Sequence, residues 1–236
     1  MNYTLSIDMS ESWTNDTISL FLKDRNGAPA QNKQVLWPSI DNKSVFAFGG
    51  EESWLDNPWY PPPVQLWQFT ADGNGSGTWN IFNSDGNSIF STLTRPTWAL
   101  GGVVDNTGFI VGGYICSHSE YDTAYIGGYT NIAVPGIASF NLTSGAWSND
   151  TAPEYLQRQN GTFGMLQAVP MFGPGGLLLI TGTTFTDGNP DPFDNFTIYE
   201  PSEKKWYTQK ASGDIPSGRS HPCVVGVNGD NGTYEM

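Results

Sequence analysis

Val45-Phe46-Ala47-Phe48-Gly49-Gly50 is an apolar run that stops on a pair of glycines. It returns as Phe109-Ile110-Val111-Gly112-Gly113. It returns again as Leu177-Leu178-Leu179-Ile180-Thr181-Gly182, where Thr181 stands in the place of the first glycine. A short apolar run bounded by turn residues reads as a strand buried on both faces. The glycines end it where side chains would block the close approach of a neighbouring backbone.

A second landmark runs in step with the first: a short strand, a turn, then a tryptophan. It reads Leu5-Ser6-Ile7 with Trp13, Leu66-Trp67-Gln68-Phe69 with Trp79, Ile137-Ala138-Ser139-Phe140 with Trp147, and Thr197-Ile198-Tyr199 with Trp206. Together the landmarks define a repeat of about sixty residues, the signature of an array of similar units. Each tryptophan reads as an outer-strand anchor, able to bury on the order of 200 Å² against the adjacent unit.

Each period holds about four strands. They are expected over 34–40, 44–50, 64–70 and 77–82 in the first complete unit. In the second they fall at 97–104, 109–113 and 136–141, with the fourth around Trp147. In the third they fall at 164–172, 176–182, 196–200 and 204–210. Asp105-Asn106-Thr107-Gly108 marks a tight hairpin, because Asn and Gly accept positive φ. Such a unit is a four-stranded antiparallel blade.

Composition agrees. The chain has 236 residues, of which 14% are aromatic and only 14% charged, with 28 Gly, 16 Pro and 2 Cys. It is poor in the Ala, Leu, Glu and Lys that helical bundles need. Its net charge of -13 opposes nucleic-acid binding, which needs a basic patch. No apolar run reaches the roughly 18 residues of a membrane span, so no membrane insertion is expected within this segment. The start, Met1-Asn2-Tyr3, shows no apolar targeting segment.

The landmarks resemble the kelch repeat: Phe48-Gly49-Gly50 with Trp67 and Trp79, Val111-Gly112-Gly113 with Phe140 and Trp147, and more weakly Gly182 with Tyr199 and Trp206. Pro216-Ser217-Gly218-Arg219-Ser220-His221 followed by Val224-Val225-Gly226-Val227 is similar to the opening of a kelch blade. The resemblance covers nearly the whole chain and implies an all-β, kelch-type β-propeller with three complete four-stranded blades plus two half-blades. Residues 1–236 then form a single propeller region. Strands 3 and 4 of one blade fill 1–16, blades follow over 34–90, 95–150 and 164–210, and a further blade starts in 219–236. The chain is expected to be part of a six- or seven-bladed ring; the alternative is that the half-blades pair and close a ring of four.

Compartment is read from Asn-x-Ser/Thr. Such sequons occur at Asn2, Asn15, Asn42, Asn74, Asn141, Asn149, Asn160, Asn195 and Asn231, against roughly three expected by chance. With few lysines, this points to a glycoprotein that travels the secretory pathway to the cell surface or beyond. A chain of this kind, acidic and with long loops, is most like secreted or membrane-tethered fungal kelch proteins. A membrane anchor would lie outside this segment.

In an antiparallel blade the 1–2 and 3–4 hairpins share one face, and the 2–3 and 4–1 connections share the other. The long connections therefore gather on the 2–3/4–1 face, and long loops on a rigid scaffold usually carry function. Trp54, Trp59 and Tyr60 in the first, and Tyr114, His118, Tyr121 and Tyr125 in the second, are the expected contacts to a protein or glycan ligand. Trp54, Trp59 and Tyr60 would equally serve as a lid over a blade edge. Asp187, Asn189, Asp191 and Asp194 begin like a calcium loop, but Pro192 stands where Gly is needed and Ile198 where Glu is needed. They read as turn formers, and no metal or other cofactor is expected. No catalytic residue is assigned, since no nucleophile elbow, phosphate loop or zinc-helix motif occurs. The alternative is an enzyme of galactose-oxidase-like type, for which His118, His221, Tyr114, Tyr121 and Cys116 supply the residue types, or a glycoside hydrolase. Cys116 and Cys223 would form one disulfide in an oxidising compartment, or stay as thiols with Cys223 buried.

Overall fold

A computed structural model describes residues 3–53, 61–82, 84, 86–127, 130–153, 163–182 and 189–236. Among them there is no α-helix, only strands and three short 3-10 turns. Three four-stranded antiparallel sheets make the body. The first joins β3 (Gln31–Pro38), β4 (Ser44–Glu52), β5 (Leu66–Ala71) and β6 (Gly77–Phe82) in sequence order. The second orders β7 (Leu100–Val104), β8 (Thr107–Val111), β11 (Gly136–Asn141) and β12 (Trp147–Thr151). A small ribbon of β9 (Tyr114–Ile115) and β10 (Ile132–Ala133) stands inside its 2–3 connection. The third joins β13 (Met165–Val169), β14 (Leu177–Thr181), β15 (Asn195–Glu200) and β16 (Lys205–Lys210).

The innermost strands β3, β7 and β13 pack on one another in turn. The sheets thus radiate from a common axis like blades, and the cores lie between them. Val35, Trp37, Phe46, Phe48 and Leu66 of the first sheet pack on Ile110, Ala138, Phe140 and Trp147 of the second. Leu100, Phe109, Val111 and Ile137 of the second pack on Leu166, Leu178, Ile180 and Tyr199 of the third. Burying a residue of this size contributes roughly 1.5–3 kcal/mol, so each blade depends on its neighbours.

The second strand of each sheet is apolar, and in β8 a neighbouring blade covers both faces, the first sheet over Ile110 and the third over Phe109 and Val111. The terminal glycines of β4 serve a specific contact. Gly49 and Gly50 have φ of 78° and 90°, where only glycine is unstrained. The Gly50 amide donates to the Pro96 carbonyl of the next blade at 2.8 Å. A Cβ on Gly49 would lie 2.6 Å from that same oxygen.

The tryptophans follow one rule in three places. Trp147 packs back on the preceding blade and donates its indole N–H to Ser84 Oγ at 3.3 Å. Trp206 packs at a tilt against Tyr199, with centroids 4.5 Å apart, beside the inter-blade core. Trp79 donates to Thr4 Oγ1 of the first strand at 2.9 Å.

Trp13 is a correction. The strand paired with β1 (Tyr3–Ile7) is β2 (Leu20–Asp24), and Trp13 lies exposed between them. The Asp/Ser/Thr-rich stretch from Asp8 satisfies its own backbone: Asp8 Oδ1 accepts from the Ser10 amide at 2.9 Å and from Ser10 Oγ at 2.7 Å. Local bonds of this kind compete with strand pairing. At the other end β17 (Val227–Asn228) pairs with β18 (Tyr234–Glu235), and Val224–Gly226 lie outside any strand. The β1–β2 and β17–β18 pairs are separate sheets and do not join to close a four-bladed ring.

Candidate functional site

Four non-glycine residues near the axis hold left-handed backbone, one inside the start of β3, two just ahead of β7 and β13, and one in the segment that leads to β17. They are Lys33 (φ 61°), Trp98 (φ 56°), Phe163 (φ 58°) and His221 (φ 57°). Lys33 falls opposite Gly50, and this pair is left out of the β3–β4 ladder while the register runs on unbroken from Asn32–Glu51 to Gln34–Gly49. Each such residue costs on the order of 1–3 kcal/mol, and such outliers gather at ligand clamps and active sites.

Their side chains form one row on the 2–3/4–1 face, close to the axis. Lys33 Nζ lies 4.1 Å from the centroid of the Trp98 ring. Trp98 stands edge-on to Phe163 and to His221, each at 4.5 Å, and Phe163 meets His221 at 4.7 Å. The His221 amide donates to the Phe163 carbonyl at 2.7 Å. The row lines a cavity of about 190 Å³, floored by Gln34, Leu100 and Gly164.

Beneath the row is a buried polar layer that locks the loops. The Trp98 indole N–H donates to the Tyr114 phenol, whose pKa burial pushes up, with the Glu51 and Cys116 charges adding to the shift. Glu51 is 1% exposed and forms an ion pair with Lys33. The Cys116 thiol donates to Glu51 Oε2 at 3.7 Å, and burial raises its pKa first of all. Arg95, also 1% exposed, donates through Nε to the Ser119 carbonyl and balances the Glu52 and Glu120 charges. Desolvation still lowers its pKa to about 10. The Glu52 amide donates to the His118 carbonyl at 2.9 Å. The 2–3 loops of two neighbouring blades are thus tied together under the cavity.

The sequence-derived candidates fall into three groups. Trp54, Trp59 and Tyr60 lie outside the described residues. Tyr114 is half-buried and supports the row from below. Tyr121 and Tyr125 are 59% and 84% exposed on the rim of their loop. His118 is a correction: it is 1% exposed, and burial lowers its pKa against the opposing pull of Glu51, so it serves the base of the loop rather than a surface contact. Both cysteines are free thiols, Cys116 buried and Cys223 exposed. That removes the disulfide alternative and the buried Cys223. Lys33, Trp98 and Phe163 escaped the sequence reading. They stand near the axis, but a lysine, a tryptophan, a phenylalanine and a histidine share no pattern of residue type. Only the common backbone conformation reveals the row.

No protein-family model matches the chain. A kelch repeat-containing protein of Arthroderma benhamiae is 27% identical over 97% of this chain. The solved structure of YjhT, a kelch-type propeller, superposes with a TM-score of 0.56 at 13% identity, over 89% of this chain. The fold is a kelch-type β-propeller. The kelch-type chain spans 38% of the length of the Arthroderma relative and 52% of YjhT.

The axial row of this propeller offers two aromatic faces, one ammonium and one imidazole. Its nearest carboxylate, Glu51, is committed to Lys33. Among the described residues no group of three or more His, Cys, Asp or Glu side chains is placed to hold a metal ion. His221 stands in the row, whereas His118 lies in the polar layer below. Side chains of these types can stack on a group and orient it.

Proposed function

We propose that this chain is a recognition domain whose 2–3/4–1 face takes a protein or glycan ligand, with one small group seated in the axial cavity. The row of four strained residues carries the reading: four costly backbone conformations near the axis aim unlike side chains at one point. The size of the site supports it. At about 190 Å³ the cavity is smaller than the roughly 300–1,000 Å³ of drug-sized pockets. It suits a single sugar ring or one peptide side chain, the rest of the ligand lying across the surrounding loops.

We place the protein outside the cell or on its surface. The excess of sequons supports this, together with the position of the seven that fall among the described residues, none of which is buried.

The test is binding to arrays of glycans and of peptides, followed by titration of the best ligand by isothermal titration calorimetry. Trp98→Ala and Phe163→Ala should each weaken binding about tenfold or more, the loss expected when a central aromatic contact worth 1.4 kcal/mol or more is removed. Binding unchanged in both variants, with the fold intact by circular dichroism, would overturn the axial site. Turnover of the bound sugar, or copper uptake lost on His221→Ala, would favour the enzyme alternative.

A further inference from the structure

The sequons are not scattered over the molecule. Asn15 lies in the β1–β2 connection, Asn42 in the β3–β4 hairpin and Asn74 in the β5–β6 hairpin. Asn141 is the last residue of β11, at the β11–β12 hairpin, and Asn231 lies between β17 and β18. All five belong to hairpins of the same face, opposite the axial row. The 2–3 and 4–1 connections are much longer, and a sequon arising by accident from turn composition would fall in them more often. Among the described residues they hold none, and the sequence adds one, Asn160, between β12 and β13. Asn195 opens β15 at the margin of the row's face, and Asn149 lies in the outer strand β12.

The local geometry suits attachment. Asn15, Asn42, Asn74 and Asn231 are exposed, and Asn141 is half-exposed. Asn42 and Asn231 have φ of 55° and 59° at the crests of their turns. Asn141 uses Oδ1 to accept the Thr143 and Ser144 amides at 3.1 and 2.8 Å. The atom that carries a sugar is Nδ2, so the turn and the glycan draw on different atoms of the same amide. A bulky, solvated oligosaccharide at any of these five tips points away from every inter-blade core.

We infer that the hairpin face is the main glycan-bearing face, modified at Asn15, Asn42, Asn74, Asn141 and Asn231, and that the axial row itself is left open. The donor is a lipid-pyrophosphate-linked oligosaccharide. The bond from Asn Nδ2 to sugar C1 forms, the bond from C1 to the pyrophosphate oxygen breaks, the lipid pyrophosphate leaves with the electron pair, and one amide proton is lost to the transferase's base. The placement gives the domain a direction: its sugar-coated side faces away from whatever the axial face contacts. The modification rests on the secretory-pathway reading, and only that last consequence rests on the recognition reading as well.

The experiment is site mapping on the protein isolated from the cells that make it. Glycans are removed enzymatically in heavy-oxygen water, so each formerly occupied asparagine becomes a labelled aspartate read by mass spectrometry. Labels at three or more of the five hairpin asparagines are expected. Labels at two or fewer, or labels confined to Asn195 and Asn160, would overturn the proposal. Site removal gives a second reading: Asn42→Gln and Asn74→Gln should each remove one step of glycan mass. Asn141→Gln also removes turn bonds, so Thr143→Ala, which destroys the sequon and keeps Asn141, serves there. Array binding before and after deglycosylation separates the two readings. Unchanged binding supports an open axial row. Absent binding with all five sites labelled removes the recognition reading and leaves the glycan face standing.

Discussion

Trp37 has no solvent exposure, and its indole N–H donates to the Phe109 carbonyl across the blade boundary at 3.0 Å. The ring stacks with Phe48 and Phe140, at 6.0 and 6.2 Å. Trp37→Ala should cost about 3–5 kcal/mol, read as a fall in the urea midpoint with little change in its slope. The other side of the ring leans on Gly108. A Cβ there would lie 2.4 Å from Trp37 Cδ2, against a rigid ring that has nowhere to move. Gly108→Ala should therefore destabilise by about 1–3 kcal/mol, and a stability equal to the parent's would show that the ring is not seated this way. The hairpin before it puts its positive φ at Asp105 (47°) and Asn106 (55°), not at Gly108. The turn was legible in the sequence, but the task of its glycine was not, because that task is set by a tryptophan 71 positions upstream.

The 2–3 loops are held by charge buried under them, and this can be tested at the level of the element. Arg95→Ala leaves Glu52 and Glu120 without their cation. Removing one partner from a buried set of this kind costs about 3–5 kcal/mol, and hydrogen exchange should rise first over Cys116–Thr123. The pH response has a definite sign. Burial lowers the His118 pKa below its ordinary 6.5. The unfolded chain then takes up a proton that the fold refuses, so stability is full above about pH 6.5 and falls as pH drops toward the folded-state value. The melting temperature should fall on acidification through that window. The fall should shrink in His118→Gln, relative to that variant's own value at pH 7.5. These loops looked in sequence like sets of exposed aromatics. Their rim, Tyr121 and Tyr125, was legible. The layer beneath was not, because Glu51 comes from one blade and Arg95 and Cys116 from the next, and they meet only after packing.

At the scale of the molecule, both ends of the blade array present unpartnered apolar surface. Leu20, Phe21 and Leu22 of β2 are 51%, 51% and 61% exposed, and Val225 and Val227 at the other end are 79% and 59% exposed. Exposed apolar strand edges promote association. The chain on its own should show concentration-dependent light scattering, reduced by the double change Phe21→Lys and Leu22→Glu. Scattering that is independent of concentration in the parent would count against this.

The sequence by itself determined the blades. A strand buried on both faces must be apolar throughout, a close backbone approach demands glycine, and an anchor at a blade boundary demands a large ring. These are properties of residue type at a fixed spacing, and they survive in the order of the letters. The tertiary structure alone decided what the faces carry. It moved the first paired strand past Trp13 to Leu20–Asp24, because the intervening turn satisfies its own backbone. It brought Lys33, Trp98, Phe163 and His221 into one row, and it set the sequons of five hairpins on the opposite side. Such assignments depend on which way a backbone turns and on which distant segments meet at the axis. Neither is written in local periodicity, because it is packing between blades that holds the strained conformations in place.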